Sequence, residues 1–368
     1  MTRLDDMYLS SGHSPWVDNI RRDWLNDGTL QNLVNAGARG VTSNPAIFAK
    51  AVASTSAYDR YIKDLGSMDA EFVFEKLAVE DVRDACDLLL PIYTASVREQ
   101  DSGTHQYRDG FVSLEVSPLL AYDAPGTVAA ALRLAAEVNR PNVMIKIPAT
   151  AECLPAITEV LSRGINVNVT LIFSLQRYRE VLDAFVAGVA SAKSQGRNIG
   201  EISSVASFFV SRVDTAVDPT LAADSAHRGR TAICQVAGAY QIFLERWQEN
   251  DAAELLAAGA QLQRPLWAST SVKNAAYDQL LYVNPLVAAS SVNTMPDATL
   301  DLVLASTDEE VPSIANDDTR RSMIDELLVI GQIINLTEVT DVLERDGVAA
   351  FISSYGELLA TVQSKLAG

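Results

Sequence analysis

Eight short runs rich in Val, Ile, Phe and Ser recur along this chain of 368 residues, and longer stretches with helical spacing separate them. The runs lie at 15–17, 40–44, 111–116, 143–147, 165–172, 202–210, 265–270 and 290–294. Strands that alternate with helices pair in parallel, and eight such units close into a barrel. The pattern therefore predicts an α/β fold, a (β/α)8 TIM barrel with additional helices.

The connections between these runs differ in length. The segments near 46–105 and 213–263 have room for more than one helix, so we expect helical insertions there. Residues 318–366 show helical spacing, which predicts a helical C-terminal segment that covers the outside or one mouth of the barrel. Because no internal repeat or Pro-rich linker interrupts the pattern, we expect residues 1–368 to form a single domain.

The formal net charge of −18 argues against nucleic acid and membrane as partners, because both carry dense negative charge. The three cysteines, at positions 86, 153 and 234, lack the spacing of zinc sites or disulfides. No stretch of about 18 uncharged apolar residues occurs. We therefore expect a cytoplasmic protein, in which any phosphate ligand is bound by a few local cations or helix N-termini.

Polar side chains occupy alternate positions near the ends of five predicted strands, and alternate positions share one face of a strand. Lys146, for example, shares a face with Met144, whereas the flanking aliphatic residues point the other way. Active sites of barrels lie at the carboxyl ends of the strands. The inward-facing residues that we expect to meet in one cavity are Asp18, Asn44, Glu115, Lys146, Asn168 and Thr170.

Lys146 is the most unusual of these residues, since a charged amine between aliphatic residues of a buried strand is costly to desolvate. Such a lysine must pair with an opposite charge, lose its proton or take part in chemistry. One interpretation is therefore a reactive amine, and the alternative is a structural ion pair with Glu115.

Motifs of other catalytic classes are absent from the sequence. Neither G-x-G-x-x-G nor G-x-x-x-x-G-K-[ST] occurs, which argues against a nucleotide-dependent dehydrogenase or kinase. His13, His105 and His227 are scattered and absent from the inward strand positions, so no metal site is predicted.

Five segments in this order resemble the transaldolase family, and especially a longer bacterial branch of it: GVTSNP at 40–45, VSLEV at 112–116, IKIPAT at 145–150, NVTLIFS at 168–174 and SFFVSR at 207–212. The match spans nearly the whole chain, and the family consists of class I aldolase-type barrels. The resemblance implies that Lys146 forms a Schiff base and that Asp18 is the general acid and base on the C4 hydroxyl of the substrate. It also implies that Glu115 and Thr170 handle a catalytic water.

The same resemblance implies a substrate pocket. Asn44 and Asn168 match positions that hydrogen-bond the substrate, while Ser207 and Phe209 match positions that line the pocket. The related fructose-6-phosphate aldolases, which release free dihydroxyacetone, tend to carry tyrosine at the position of Phe209. The phenylalanine here therefore favours transfer over release.

Two cations are expected to bind phosphate. Arg212 matches a phosphate-binding arginine of the family. A second cation of the family lies in a Ser-Phe-Arg segment, where this chain has Ser271, Val272 and Lys273. Lysine keeps the charge but lacks the bidentate guanidinium fork, so we expect it to bind phosphate as a point charge.

Taken as a whole, the resemblance implies a transaldolase of the pentose phosphate pathway. Such an enzyme moves a dihydroxyacetone unit from sedoheptulose 7-phosphate or fructose 6-phosphate to glyceraldehyde 3-phosphate or erythrose 4-phosphate, and needs no cofactor. The expected partners are small sugar phosphates, and the expected assembly is a monomer or homodimer. A barrel without enzymatic activity is the alternative from a different class, and the intact set of Asp18, Glu115, Lys146 and Thr170 argues against it.

Overall fold

A computed structural model describes residues 1–66, 68–101, 107–307 and 311–367. Seven parallel strands in this part of the chain form one sheet, in the order β1-β7-β6-β5-β4-β3-β2. The strands are β1 (Ser14–Val17), β2 (Val112–Glu115), β3 (Val143–Pro148), β4 (Val167–Ile172), β5 (Ser204–Phe209), β6 (Gln263–Ala268) and β7 (Val292–Met295). Seven of the eight predicted runs are thus confirmed as strands.

The run at 40–44 is the exception. Val41 makes isolated parallel bridges to Val17 of β1 and Val112 of β2, which are the two edge strands of the sheet. Pairing ends there because the chain soon enters a helix at Pro45, and proline has no N–H to donate to a neighbouring strand. One bridging residue therefore lies between the edges of the curled sheet, which has the architecture of an α/β barrel.

The helices of the described residues surround this sheet. Those before β4 are α1 (Arg3–Ser11), α2 (Arg22–Asp27), α3 (Thr29–Asn35), α4 (Pro45–Ser54), α5 (Asp59–Leu65), α6 (Ala70–Asp101), α7 (Ala124–Val138) and α8 (Leu154–Ser162). Those after β4 are α9 (Leu175–Ser194), α10 (Ser211–Val217), α11 (Thr231–Arg246), α12 (Asn250–Ala257), α13 (Asp297–Ala305), α14 (Asp317–Ile333) and α15 (Leu336–Ala367). Strands β2 to β6 each contact one or more of these helices.

Apolar side chains divide between the two faces of the sheet. Met144 and Val205 belong to an inner cluster that also contains Trp16. Their strand neighbours Ile145 and Ala206 belong to the outer cluster, which includes buried residues of the surrounding helices. The alternation is the one that a strand imposes on its side chains, so the residue two positions beyond Met144 faces inward as well.

Helix α15 approaches the inner cluster closely. It packs against α4, α6 and β4. A Cβ atom at Gly347 would lie 3.1 Å from Leu171 Cδ2 and 3.3 Å from Phe173 Cε2, which is tight contact. Glycine therefore lets the helix lie directly on β4, and Phe351, one turn further on, joins the inner cluster.

The contact between Gly40 and Trp16 yields a stability prediction. A Cβ atom at position 40 would lie 2.4 Å from Trp16 ring atoms, so Gly40→Ala must displace the indole and should destabilise the fold by about 1–3 kcal/mol or more. Gly356→Ala is the matched control, because an added Cβ meets nothing within 4 Å in α15. We expect it to stabilise by about 0.5–1 kcal/mol. Urea unfolding of both variants tests this, and equal stabilities would contradict it.

Candidate active site

The register of β2, β3 and β4 brings three predicted residues side by side. Glu115 is the register partner of Lys146, which is in turn the partner of Asn168. The Lys146 Nζ donates a hydrogen bond of 2.9 Å to the backbone oxygen of Ser43. It also lies 3.5 Å from Glu115 Oε2, in an ion pair whose side chains are both 6% exposed. The ion pair considered as the structural alternative therefore exists, but it borders a cavity.

This cavity, which we call the front cavity, has a volume of about 190 Å³ and opens beside Lys146. Nine of the eleven predicted site residues line it, namely Asp18, Asn44, Lys146, Thr170, Ser207, Phe209, Arg212, Ser271 and Lys273. The other two touch the lining from behind, since Glu115 pairs with Lys146 and Asn168 contacts Ser207. The structure thus brings the predicted residues together.

Asp18, directly after β1, is held by a threonine. Thr42 Oγ1 donates a 2.6 Å hydrogen bond to Asp18 Oδ1 and lies 2.5 Å from Thr294 Oγ1. Burial raises the pKa of Asp18, while the charge of Lys146 and the hydrogen bond from Thr42 act in the opposite direction. The carboxyl group is therefore oriented, near the amine, and more basic than an exposed aspartate.

Two amide side chains are fixed by hydrogen bonds. Asn168 Nδ2 donates to Ser113 Oγ at 2.9 Å, and its Oδ1 accepts from Ser207 Oγ at 2.7 Å. Asn44 caps α4, because its Oδ1 accepts a 3.0 Å hydrogen bond from the backbone N–H of Ile47. Helix capping uses the oxygen of Asn44, so its amide NH₂ is the group left for a ligand in the cavity.

Thr170 sits at an irregularity of β4. The register with β5 shifts between Val169 and Ile172, and Leu171 has a φ of 61°, in the left-handed region. An irregularity of this kind changes the direction of a side chain and often lies beside an active site. Among the described residues, Thr170 Oγ1 has no hydrogen-bond partner, although it is buried. Its hydroxyl is thus available to a water or substrate atom.

Two cations, Arg212 and Lys273, also line the front cavity. Arg212, in the first turn of α10, is half-buried, and its guanidinium carbon lies 5.2 Å from the centre of the Phe209 ring. In the part of the chain that the structure describes, no carboxylate pairs with Arg212, and burial lowers its pKa. Lys273 is exposed and donates a 2.7 Å hydrogen bond to Ser271 Oγ. An uncompensated guanidinium in a cavity is suited to an anionic ligand.

Several lining residues were not among the predicted site residues. Thr42 holds Asp18 and contacts Thr294, and Ser269 and Phe351 also line the cavity. The ring centre of Phe351 is 5.8 Å from Lys146 Nζ. The alternation along 41–44 already indicated that Thr42 faces inward, but no signal in the sequence assigns the α15 phenylalanine to the site.

The surroundings of Glu115 shift its pKa strongly. Burial raises its pKa from 4.5 to about 7, while the charge of Lys146 opposes the shift. A carboxyl group with a pKa near neutrality can both accept and donate a proton at the pH of a cell. Glu115 is therefore suited to carry protons to and from the amine beside it.

The other titratable side chains that the structure describes are spread over the fold. Among the described residues, no group of three or more His, Cys, Asp or Glu side chains is placed to hold a metal ion. His13 is buried beside Ser291, and His227 contacts Glu326, while His105 lies outside the described residues.

Among the described residues, no helix is long and apolar enough to cross a membrane.

A buried lysine near two carboxylates therefore lines a cavity that also contains two cations, an arrangement suited to a small anionic ligand. A sequence profile of the family described as "Transaldolase/Fructose-6-phosphate aldolase" matches residues 15–362. The chain belongs to this family and is an enzyme of the transferase class.

Individual relatives agree with the family match. A protein named transaldolase from Saccharopolyspora erythraea is 44% identical over 363 residues, which cover 97% of this chain and 96% of the relative. Another of that name from Thermobifida fusca is 45% identical over 371 residues, covering 97% and 96%. A third, from Mycobacterium leprae, is 42% identical over 367 residues, covering 97% and 95%.

The raised pKa of Glu115 predicts how stability depends on pH. The folded protein holds this proton up to about pH 7, whereas an unfolded glutamate releases it near its ordinary pKa of 4.5. The stabilisation is complete below that ordinary pKa and is lost as the pH rises through about 7. We therefore expect the unfolding free energy of the wild type, relative to Glu115→Gln, to fall between pH 5 and 8 by on the order of 2–3 kcal/mol. A difference that stays constant or rises with pH would contradict this.

Proposed function

We propose that this enzyme is a transaldolase that moves a dihydroxyacetone unit between sugar phosphates through a Schiff base on Lys146. The observation that carries the proposal is the buried Lys146 amine, which faces the front cavity between Asp18 and Glu115. The names of the relatives support the same activity. The pathway that uses this reaction is the pentose phosphate pathway.

The proposed substrates are sedoheptulose 7-phosphate or fructose 6-phosphate as donor, and glyceraldehyde 3-phosphate or erythrose 4-phosphate as acceptor. The free guanidinium of Arg212 and the exposed ammonium of Lys273 line the cavity that contains Lys146. Charge-assisted contacts from both suit a phosphate group. A ketose whose phosphate binds Arg212 and Lys273 can place its carbonyl carbon at the Lys146 amine in the same cavity.

The reaction starts when neutral Lys146 attacks the C2 ketone. The amine donates one hydrogen bond to the Ser43 oxygen, which orients the nitrogen toward the cavity. Glu115 accepts and returns the protons, because its pKa of about 7 suits both directions. Thr170 supplies a free hydroxyl that positions the water of this step. Loss of water then gives the iminium.

Carbon–carbon cleavage follows. Asp18 takes the proton of the C4 hydroxyl, the C3–C4 bond breaks, and its electrons move to the iminium nitrogen, which leaves an enamine on Lys146. The raised pKa of Asp18 makes it a stronger base, and Thr42 holds its orientation. The aldose phosphate leaves, and the enamine then attacks a second aldehyde.

Transfer, rather than release of dihydroxyacetone, is supported by an apolar wall. Phe209 and Phe173 have ring centres 5.1 Å apart, and the Phe351 ring lies over Lys146 Nζ. None of these rings carries a proton donor for the enamine. The fructose-6-phosphate aldolase reaction of the wider family is therefore the less supported activity.

The finer structural and cellular assignments are also proposals. Val41, which bridges both edge strands, supports an eighth strand position and hence a (β/α)8 barrel. We assign residues 1–368 to one domain, with a monomer or homodimer as its assembly. The three buried, unpaired cysteines support a reducing compartment such as the cytoplasm, and the charge of −18 disfavours nucleic acid and membrane partners.

Removal of the phosphate cations should weaken substrate binding. Arg212→Ala should raise KM for fructose 6-phosphate by roughly 10- to 150-fold, because a charge-assisted hydrogen bond contributes about 1.5–3 kcal/mol. Lys273→Ala should have a smaller effect, since Lys273 is exposed and solvent screens its charge. Steady-state kinetics with fructose as the unphosphorylated control tests this. Equal losses for fructose and its phosphate would remove Arg212 from phosphate binding.

Borohydride trapping tests the Schiff base. Incubation with fructose 6-phosphate and borohydride should leave a reduced three-carbon adduct on Lys146 alone, because without an acceptor the enamine persists in equilibrium with its iminium. Lys146→Arg should abolish adduct and turnover, since a guanidinium stays protonated. Lys50→Arg, at an exposed position, is the control that should keep both. Adduct on another lysine, or turnover without adduct, would refute the mechanism.

A further inference from the structure

A second cavity, distinct from the front cavity, is lined by Glu115. It has a volume of about 220 Å³ and is enclosed by residues of β2, α4, α6, α7 and α15. We call it the rear cavity and define it by the lining residues Ser43, Glu115, Ser117, Glu71, Arg133 and Tyr355. Asn44 is the one residue that lines both cavities in the described part of the chain. Since liquid water takes about 30 Å³ per molecule, the rear cavity has room for several.

Glu115 forms part of the wall of the rear cavity. Its side chain is 6% exposed, and its nearest cation is Lys146 Nζ at 3.5 Å from Oε2. Within the described residues, that ammonium is the one partner of Oε2, because no group donates to it at ordinary hydrogen-bond geometry. A carboxylate can accept several hydrogen bonds, so Glu115 can accept further ones from water. Glu115 therefore pairs with the amine and also lines a space with room for water.

Polar groups continue from Glu115 toward the surface. Ser117 lies two residues after Glu115 and also lines the rear cavity, and its buried hydroxyl has no hydrogen-bond partner among the described residues, so it can bind water there. Burial raises the pKa of the Tyr355 phenol. Tyr355 in turn donates a 2.9 Å hydrogen bond to Oε1 of Glu71, which is exposed. The phenol therefore stays protonated and can bridge buried water to a solvent-facing carboxylate.

We propose that the water of the Schiff-base step, positioned by Thr170 beside Glu115, exchanges with solvent through the rear cavity past Ser117, Tyr355 and Glu71. This proposal rests on the proposed function. In that step the carbinolamine C2–O bond breaks, the hydroxyl takes a proton from the Glu115 carboxyl and leaves as water, and the nitrogen lone pair forms the C=N bond. In the reverse step water from the rear cavity adds to C2 and returns a proton to Glu115.

The position of the substrate favours this route. A ketose phosphate that reaches from Lys146 to Arg212 occupies the front cavity, and Phe351 covers the amine from α15. Water expelled at C2 then lies between the substrate and Glu115. The rear cavity borders that carboxylate directly, whereas the front mouth is filled by the sugar.

The proposed water route can be tested with an ¹⁸O label on the substrate. Fructose 6-phosphate labelled with ¹⁸O at C2 loses label whenever the eliminated water escapes before it is added back. Ala130→Leu places a larger side chain in the wall of the rear cavity, and Ala129→Leu, on an exposed position of the same helix, is the matched control. We expect Ala130→Leu to lower the label lost per iminium formed by roughly threefold or more relative to Ala129→Leu. Borohydride trapping measures iminium formation in each protein, and mass spectrometry measures the label.

Tyr355→Phe is a second variant, in case Ala130→Leu does not fold. It keeps the ring and its packing against Phe74 but removes the hydroxyl that donates a hydrogen bond to Glu71, so we expect it to retain label as well. Label loss in folded variants equal to that of Ala129→Leu, with normal adduct formation, would overturn the water route alone. Absence of any adduct in the wild type would overturn the proposed function instead.

Discussion

The parallel register between β2 and β3 is the constraint on which the site depends. It sets Glu115 beside Lys146, so that the desolvated amine has a carboxylate at 3.5 Å and the Ser43 carbonyl at 2.9 Å. A shift of one residue in either strand would reverse the faces of its side chains. The lysine would then face the outer apolar cluster beneath the helices and would lose its contacts with Glu115 and Ser43. The register of these two strands thus sets both the burial of the amine and its ion pair with Glu115.

The front cavity brings opposite charges close together. Asp18, Lys146, Arg212 and Lys273 line it, and Glu115 pairs with the amine. These charges belong to a chain whose overall charge is −18. General electrostatic attraction therefore does not draw an anion to this protein. An anionic ligand would depend on local cations such as the half-buried Arg212 and the exposed Lys273.

Much of the site could be predicted from the alternation of polar and apolar residues along the strands. Because strand side chains alternate, the inward positions of Lys146 and Thr170 were predictable from sequence. Seven of the strands were predictable as well. The sequence did not predict that the run at 40–44 pairs only through Val41, because the helix that starts at Pro45 limits its length. The position of Phe351 in the site could not be predicted either, since it depends on how closely α15 packs on β4 through Gly347. Long-range packing leaves no local signal in a sequence.

The distribution of the site along the chain has a consequence for biosynthesis. Asp18 comes from the first strand and Phe351 from the last helix, yet both line one cavity. A nascent chain that has already folded its sheet still lacks the phenylalanine that covers the amine. Shielding of Lys146 therefore waits until the ribosome has released α15. A translation product that stops before α15 would leave the amine without this cover.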